Sequence, residues 1–263
     1  MSPRPVPQVV PQVAPLPLAF LDRPIAHRAY HDRAAGRPEN SRAAIRAAIA
    51  AGYGIEIDIQ PSADGVPMVF HDYDLRRLTG RSGRIRGLTA AELGALPLLG
   101  GDEGIPTLAE VLALVAGRVP LLIEIKDQDG AMGPAVGDLE RAVADEIRSY
   151  DGPVALMSFN PHSVAALAEA APDRPRGLTT SAYKALDWPL LPARVRAHLR
   201  DIPDLERTGS SFISHEAADL DRPLIATLKD EGTRILTWTI RSPEAEAKAR
   251  KVAENITFET YAA

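Results

Sequence analysis

The feature that most narrows the fold is an alternation that begins at residue 24. Short apolar runs recur, alternating with Ala- and Leu-rich stretches of helical spacing. The runs are PIAH (24–27), YGIEIDIQ (53–60), VPLLIEIK (119–126), PVALMSF (153–159), RGLTT (176–180), SFIS (211–214), RILTWTI (234–240) and NITF (255–258). Short runs of this kind, rich in Ile, Val and Thr, read as strands. Helices are predicted at SRAAIRAAIAAG (41–52), with Ser41 as N-cap and Gly52 as stop, and at TLAEVLALVAG (107–117), where Thr107 and Glu110 have capping-box spacing. LERAVADEIRSY, PHSVAALAEAA and PLIATLKDEG supply further helices. VPMVFHD (66–72), across the Asp-Gly turn of SADG, reads as the return arm of a hairpin. Eight strands in a βα rhythm predict an α/β fold, a parallel (β/α)8 TIM barrel rather than an open sheet. Residues 72–106 form a small, cap-like insertion after the second strand, and 183–210 a second excursion.

The 263 residues fit one such barrel, so residues 21–263 are expected to be a single catalytic domain. Residues 1–20 hold six prolines before residue 18 and are expected to be an extended, Pro-rich arm rather than a signal peptide. No apolar run reaches the ~18 residues that span a bilayer, so no stable membrane insertion is expected. A net charge of −5 argues against nucleic acid or an anionic surface as the main partner. The absence of cysteine excludes disulfides and thiolate chemistry and fits a cytoplasmic location.

Side chains alternate between the faces of a strand. In YGIEIDIQ, Ile55, Ile57 and Ile59 point one way and Glu56 and Asp58 the other; in LLIEIK, Glu124 and Lys126 lie opposite Ile123 and Ile125. In a barrel the isoleucines face the helix ring and the charges face the axis, where they need partners or a metal. Carboxylates i and i+2 lie roughly 6.6 Å apart along a strand and can converge on a hard divalent cation such as Ca²⁺ or Mg²⁺. His27 and His71 each end a strand segment, where barrel active sites are built, and suit acid–base work. Arg28 can fork onto a phosphate. His31, His162, His198 and His215 read as structural hydrogen-bonding residues. Arg76, Arg77, Arg81, Arg84 and Arg86 read as a solvated loop, with a headgroup-attracting rim as the alternative.

These residues fall into an ordered set: HRA (27–29), PENS (38–41), EID (56–58), HD (71–72) and EIK (124–126). The order and spacing resemble the glycerophosphodiester phosphodiesterase family, with its H-R-G, P-E-N-[ST], E-x-D, H-D and E-x-K motifs. IPTLAEVL and LTWTI resemble further family segments, so the likeness covers most of residues 24–240. It implies a TIM barrel that hydrolyses small-molecule glycerophosphodiesters to sn-glycerol 3-phosphate and an alcohol with one divalent cation. By resemblance, Glu56, Asp58 and Glu124 are the metal ligands, His27 and His71 the acid–base pair, and Arg28 and Lys126 the phosphate-binding cations. Glu39 and Asn40 support the site, and Trp238 offers an apolar wall. The attacking hydroxyl is water or the substrate's own glycerol 2-OH. The alternatives are a lysophospholipase-D-like enzyme on lipid substrates and a catalytically silent barrel that binds a phosphorylated ligand. The chain departs from the family pattern at Ala29, where glycine is usual, in the charged loop YHDRAAGR (30–37), and in a last strand ending NITFE, which leaves Glu259 without an assigned role.

Overall fold

The computed structural model describes residues 13–263. Its strands are β1 (Ile25–Ala26), β2 (Gly54–Pro61), β3 (Pro67–Val69), β4 (Leu121–Ile125), β5 (Val154–Ser158), β6 (Arg176–Thr180), β7 (Phe212–Glu216), β8 (Arg234–Ile240) and β9 (Asn255–Phe258). All are parallel neighbours except β3, which returns antiparallel along the end of β2. β1 pairs with both β2 and β9, so the eight parallel strands close into the expected barrel. Each predicted strand segment became a barrel stave, and the hairpin arm stands outside the closure.

The two faces of each strand explain the closure. Ile55, Ile57, Ile59, Ile123 and Ile125 share one buried cluster with Ala44, Ile45 and Ala48 of helix Arg42–Ala51. That helix begins where the Ser41 hydroxyl accepts the Ala44 N–H and ends at Gly52, whose φ of 73° gives the left-handed stop. Helix Leu108–Val115 carries the capping box of Thr107 and Glu110. A helix at Pro243–Ala249 was not evident in the sequence, because PEAEAKA offers only alanine to a core face.

Inside the barrel there are two layers. The lower one is apolar: Ile25, Leu122, Ala155, Met157, Phe212 and Leu236 pack with Leu16 and Phe20. Gly177 makes room for the Phe212 ring, since a Cβ there would sit 2.6 Å from it. Residues 1–12 of the expected arm lie outside the described residues. The stretch that follows closes the barrel floor: Phe20 is fully buried, and Asn255 donates to the Phe20 and Arg23 carbonyls at 2.7 and 2.6 Å. Burying a ring of this size contributes about 1.5–3 kcal/mol.

The excursion after β3 carries short helices at Arg76–Thr79 and Ala90–Gly94 and packs its own apolar cluster, including Leu75, Leu78, Ile85 and Leu93, on Met68 and Phe70. The upper interior layer is polar, and the site lies there.

Candidate active site

Strand β2 aims Glu56 and Asp58 into the barrel, both 1% exposed, and β4 adds Glu124 at 6%. β2 and β4 are in register with Asp58 opposite Glu124. One oxygen from each of the three carboxylates lies within 4.8 Å of the other two, so they could hold a metal ion. Lys126 sits over the pair, its Nζ 2.7 Å from Asp58 and 2.5 Å from Glu124. Glu56 accepts the Arg28 backbone N–H at 2.8 Å and has no cation within ion-pair distance among the described residues.

The donor set fits a divalent cation. Burial and the charges of Asp58 and Glu124 push the Glu56 carboxyl well above the usual carboxylate range, a cost to its ionised form that an added positive charge would offset. Burial acts on Asp58 in the same sense, but Lys126, His71 and Arg28 hold it well below that range. Lys126 is desolvated too, yet Asp58 and Glu124 keep its ammonium charged. Oxygen donors without sulfur or imidazole in the cluster suit a hard ion.

The first βα loop braces this centre. Arg28, Ala29 and Asn40 all have positive φ (52°, 65° and 58°), a left-handed backbone that costs roughly 1–2 kcal/mol per non-glycine residue. Ala29 therefore keeps the turn that glycine would favour, and its N–H binds the Glu56 carbonyl at 2.9 Å. Asn40 donates to Asp58 at 2.9 Å, and Glu39 accepts from Arg28 at 2.8 Å. Arg28 Nε also lies 3.6 Å from Asp58.

Each histidine has a carboxylate partner. His27 Nδ1 is 2.6 Å from Glu259 Oε2, and His71 Nδ1 is 2.7 Å from Asp72 Oδ1. Glu259 also accepts from Arg241 at 2.7 Å, and His31 lies 3.6 Å away. Burial opposes ionisation of Glu259, but His27, His31 and Arg241 hold it far below the usual range. Burial pushes the His27 imidazolium down despite the bond to Glu259. Arg77 is half-exposed, yet it bridges Asp72 (2.6 Å) and Glu39 (2.7 Å) and so ties the excursion to the first loop. Burial and the bonds from His71 and Arg77 leave Asp72 well below its ordinary range.

His27, Arg28, Glu56, His71, Glu124 and Lys126 line one cleft of about 160 Å³ at the C-terminal mouth. Asp58 lies beneath them, held by Lys126 and Asn40. Met157, Phe159, Thr179, Ser214, Trp238, Thr239, Arg241 and Thr257 line the rest. Trp238 lies edge-on to Phe159 and donates its indole N–H to the Ser214 carbonyl at 2.9 Å.

The sequence model of the glycerophosphoryl diester phosphodiesterase family matches residues 27–255. The chain belongs to that family. Together with the centre just described, this makes it a glycerophosphodiester phosphodiesterase, a phosphoric diester hydrolase. YhdW of Bacillus subtilis, a candidate glycerophosphodiester phosphodiesterase, is 28% identical over 234 residues, which cover 85% of this chain and 88% of YhdW. Human glycerophosphodiester phosphodiesterase 1 is 39% identical over 99 residues, or 34% of this chain and 29% of the human one. A phosphodiesterase of Oleispira antarctica, solved with the product sn-glycerol-3-phosphate, superposes with a TM-score of 0.75 at 25% identity, covering 92% of this chain and 94% of that one.

Sequence reading placed the phosphodiesterase's acids, both histidines, Arg28, Lys126, Glu39, Asn40 and Trp238 around one cleft, and the fold brings them together. It gave no role to Glu259, Asp72, Arg77 or Arg241. Asp72 was within the quoted H-D pair and Glu259 at an aberrant strand end, so both carried a signal. Arg241, after β8, carried none. His215 does read as structural: it is buried, with Thr180 at 2.8 Å.

Proposed function

We propose that this phosphodiesterase releases sn-glycerol 3-phosphate and an alcohol from glycerophosphodiesters, with one divalent cation, Ca²⁺ or Mg²⁺, held by Glu56, Asp58 and Glu124. The observation that carries the reading is the convergence of three buried carboxylates on one point between two histidine–carboxylate pairs. When bound, the cation offsets the charge that builds on the phosphate oxygens.

Arg28 and Lys126 line the same cleft and add fixed positive charge to the phosphate position. His27 donates Nδ1–H to ionised Glu259, which leaves Nε2 for proton transfer at the substrate. His71 stands in the same relation to Asp72. One imidazole takes the proton of the attacking hydroxyl, and the other returns a proton to the leaving alkoxide. Glu39 and Asn40 hold Arg28 and Asp58 in place. Trp238 and Phe159 form the wall that meets the carbon skeleton. The compact cleft favours a small polar diester and with it a role in lipid and glycerol metabolism, and the absence of cysteine fits the cytoplasm.

The test strips the protein with EDTA, restores Ca²⁺, Mg²⁺ or Mn²⁺ singly, and reads glycerol 3-phosphate release from a panel of glycerophosphodiesters. Activity is expected only after repletion. Glu56→Ala and His27→Ala are expected to abolish release while circular dichroism stays native. Near-native turnover in either variant, or full activity in EDTA, refutes the assignment.

A further inference from the structure

The excursion after β6 leaves the barrel at its C-terminal end, beside the cleft. Its base is packed: Tyr183, Leu191 and Leu199 are buried with Phe159, Trp188 and Val195 against them. Trp188 stacks at 5.1 Å on both Tyr183 and Phe159, and its indole N–H reaches Ser181 at 3.1 Å. Phe159 is itself a cleft residue. From this base two leucines project into solvent. Leu186 is 93% and Leu190 91% exposed, far beyond the other exposed large apolar side chains among the described residues, which run from 38 to 69%. A structured loop that offers two whole leucines to water, one ring away from an active site, asks for an apolar partner.

The charge beside them says which. Lys184, Arg194, Arg196 and Arg200 stand against a single acid, Asp187, between residues 184 and 200, although the whole chain is net −5. None of the four has an acid within ion-pair distance among the described residues. Lys184, Arg196 and Arg200 line one open cleft of about 360 Å³ next to the leucines. Its one acid, Asp219, faces His215 at 3.4 Å. Arg194 stands on a neighbouring cleft of the same helix. Cations without an acid partner, three of them on one cleft, beside exposed leucines match the two layers of an anionic leaflet, phosphate outside and acyl chain within.

We propose that residues 184–200 are a peripheral docking surface for anionic phospholipid bilayers, with Leu186 and Leu190 entering the headgroup–acyl boundary and Lys184, Arg194, Arg196 and Arg200 meeting lipid phosphates. Attachment is reversible, since no helix among the described residues is long and apolar enough to cross a membrane. It would hold the catalytic mouth at the bilayer surface. The inference does not depend on how the site works, because its readout is binding.

The full chain is sedimented with vesicles of phosphatidylglycerol and phosphatidylcholine in equal parts, and with pure phosphatidylcholine, at low and high salt. Binding is expected to the mixed vesicles only and to weaken with salt. Leu186→Ser/Leu190→Ser is expected to bind about tenfold or more weakly, and Lys184→Glu/Arg194→Glu to lose the preference for anionic lipid. Both variants should keep glycerophosphodiester turnover, which shows that they fold. No binding to mixed vesicles at low salt, or undiminished binding by the leucine variant, overturns the proposal. So does concentration-dependent dimerisation that the leucine variant abolishes without any vesicle binding, which would assign the patch to a second copy of the chain.

Discussion

The two walls of the cleft differ in kind. The wall built from β1, β2 and β4 presents His27, Arg28, Glu56, Asp58, Glu124 and Lys126. The wall built from β5 to β8 presents Met157, Thr179, Ser214 and Trp238, none of them charged, and only at its edge, just past β8, Arg241, whose charge is paired with Glu259. The charged wall is joined to the one loop where Arg28, Ala29 and Asn40 all take left-handed backbone, whereas Thr179 and Ser214 lie inside regular strands. Buried charges need exact partners, and those partners are delivered by loops held in costly conformations. A neutral wall needs only to be the right distance away. Electrostatic work and shape work are thus assigned to different staves of one barrel.

This division can be broken by substitution, and the largest effect is expected on the charged wall. Asp58→Asn removes the carboxylate that meets Lys126 at 2.7 Å and Asn40 at 2.9 Å and that belongs with Glu124 to the cluster that could hold an ion. Turnover with saturating cation should fall by about 10³-fold, since several kcal/mol of charge stabilisation are at stake. A fall of less than tenfold would mean that the charge of this wall is structural. His71→Ala should follow, with a loss of roughly 10²–10⁴-fold, the usual worth of a positioned acid or base.

Next comes Glu259→Gln, a positioning variant that leaves the imidazole of His27 in place but removes its carboxylate. Losses of about 10–100-fold are expected, as for other partners that orient a functional histidine. The pH profile separates orientation from simple damage. The Glu259 carboxylate favours the imidazolium of His27, against burial, which disfavours it. Without the carboxylate the His27 pKa falls, so the limb of the kcat/KM profile that reports His27 moves to lower pH whether His27 acts as acid or base. A reduced rate with an unmoved profile would assign Glu259 to structure alone.

The charged wall was also the wall the sequence displayed. Glu56 and Asp58, or Glu124 and Lys126, alternate with isoleucine within a few residues, and charge inside an apolar strand has few structural explanations. The eight staves were visible for the related reason that Ile- and Val-rich runs repeat between helices. Of the neutral wall only Trp238 was visible, because Thr179 in RGLTT and Ser214 in SFIS look like any polar residue on a half-buried strand. Arg241 and Arg77 were hidden because their pairings follow no helix or strand spacing: Glu259 and Glu39 lie 18 and 38 residues away, and Asp72, 5 residues away, is met only through the irregular path of the excursion.

The smallest effect should come from the neutral wall, and it is the sharpest check on the comparison. Ser214 is fully buried, and its hydroxyl has no hydrogen-bond partner among the described protein atoms; Thr179 Oγ1 is in the same position. An unsatisfied buried hydroxyl costs about 1–3 kcal/mol, so Ser214→Ala should not lower thermal stability and should raise it if nothing else meets the oxygen. If the hydroxyl meets a substrate oxygen, KM rises by no more than about tenfold, the worth of one neutral hydrogen bond, while kcat holds. Steady-state kinetics and thermal unfolding of Ser214→Ala and Thr179→Val measure both quantities. A kcat loss approaching that of Asp58→Asn would mean that the neutral wall takes part in the charge-dependent step, and the two walls would then have to be treated as one catalytic surface.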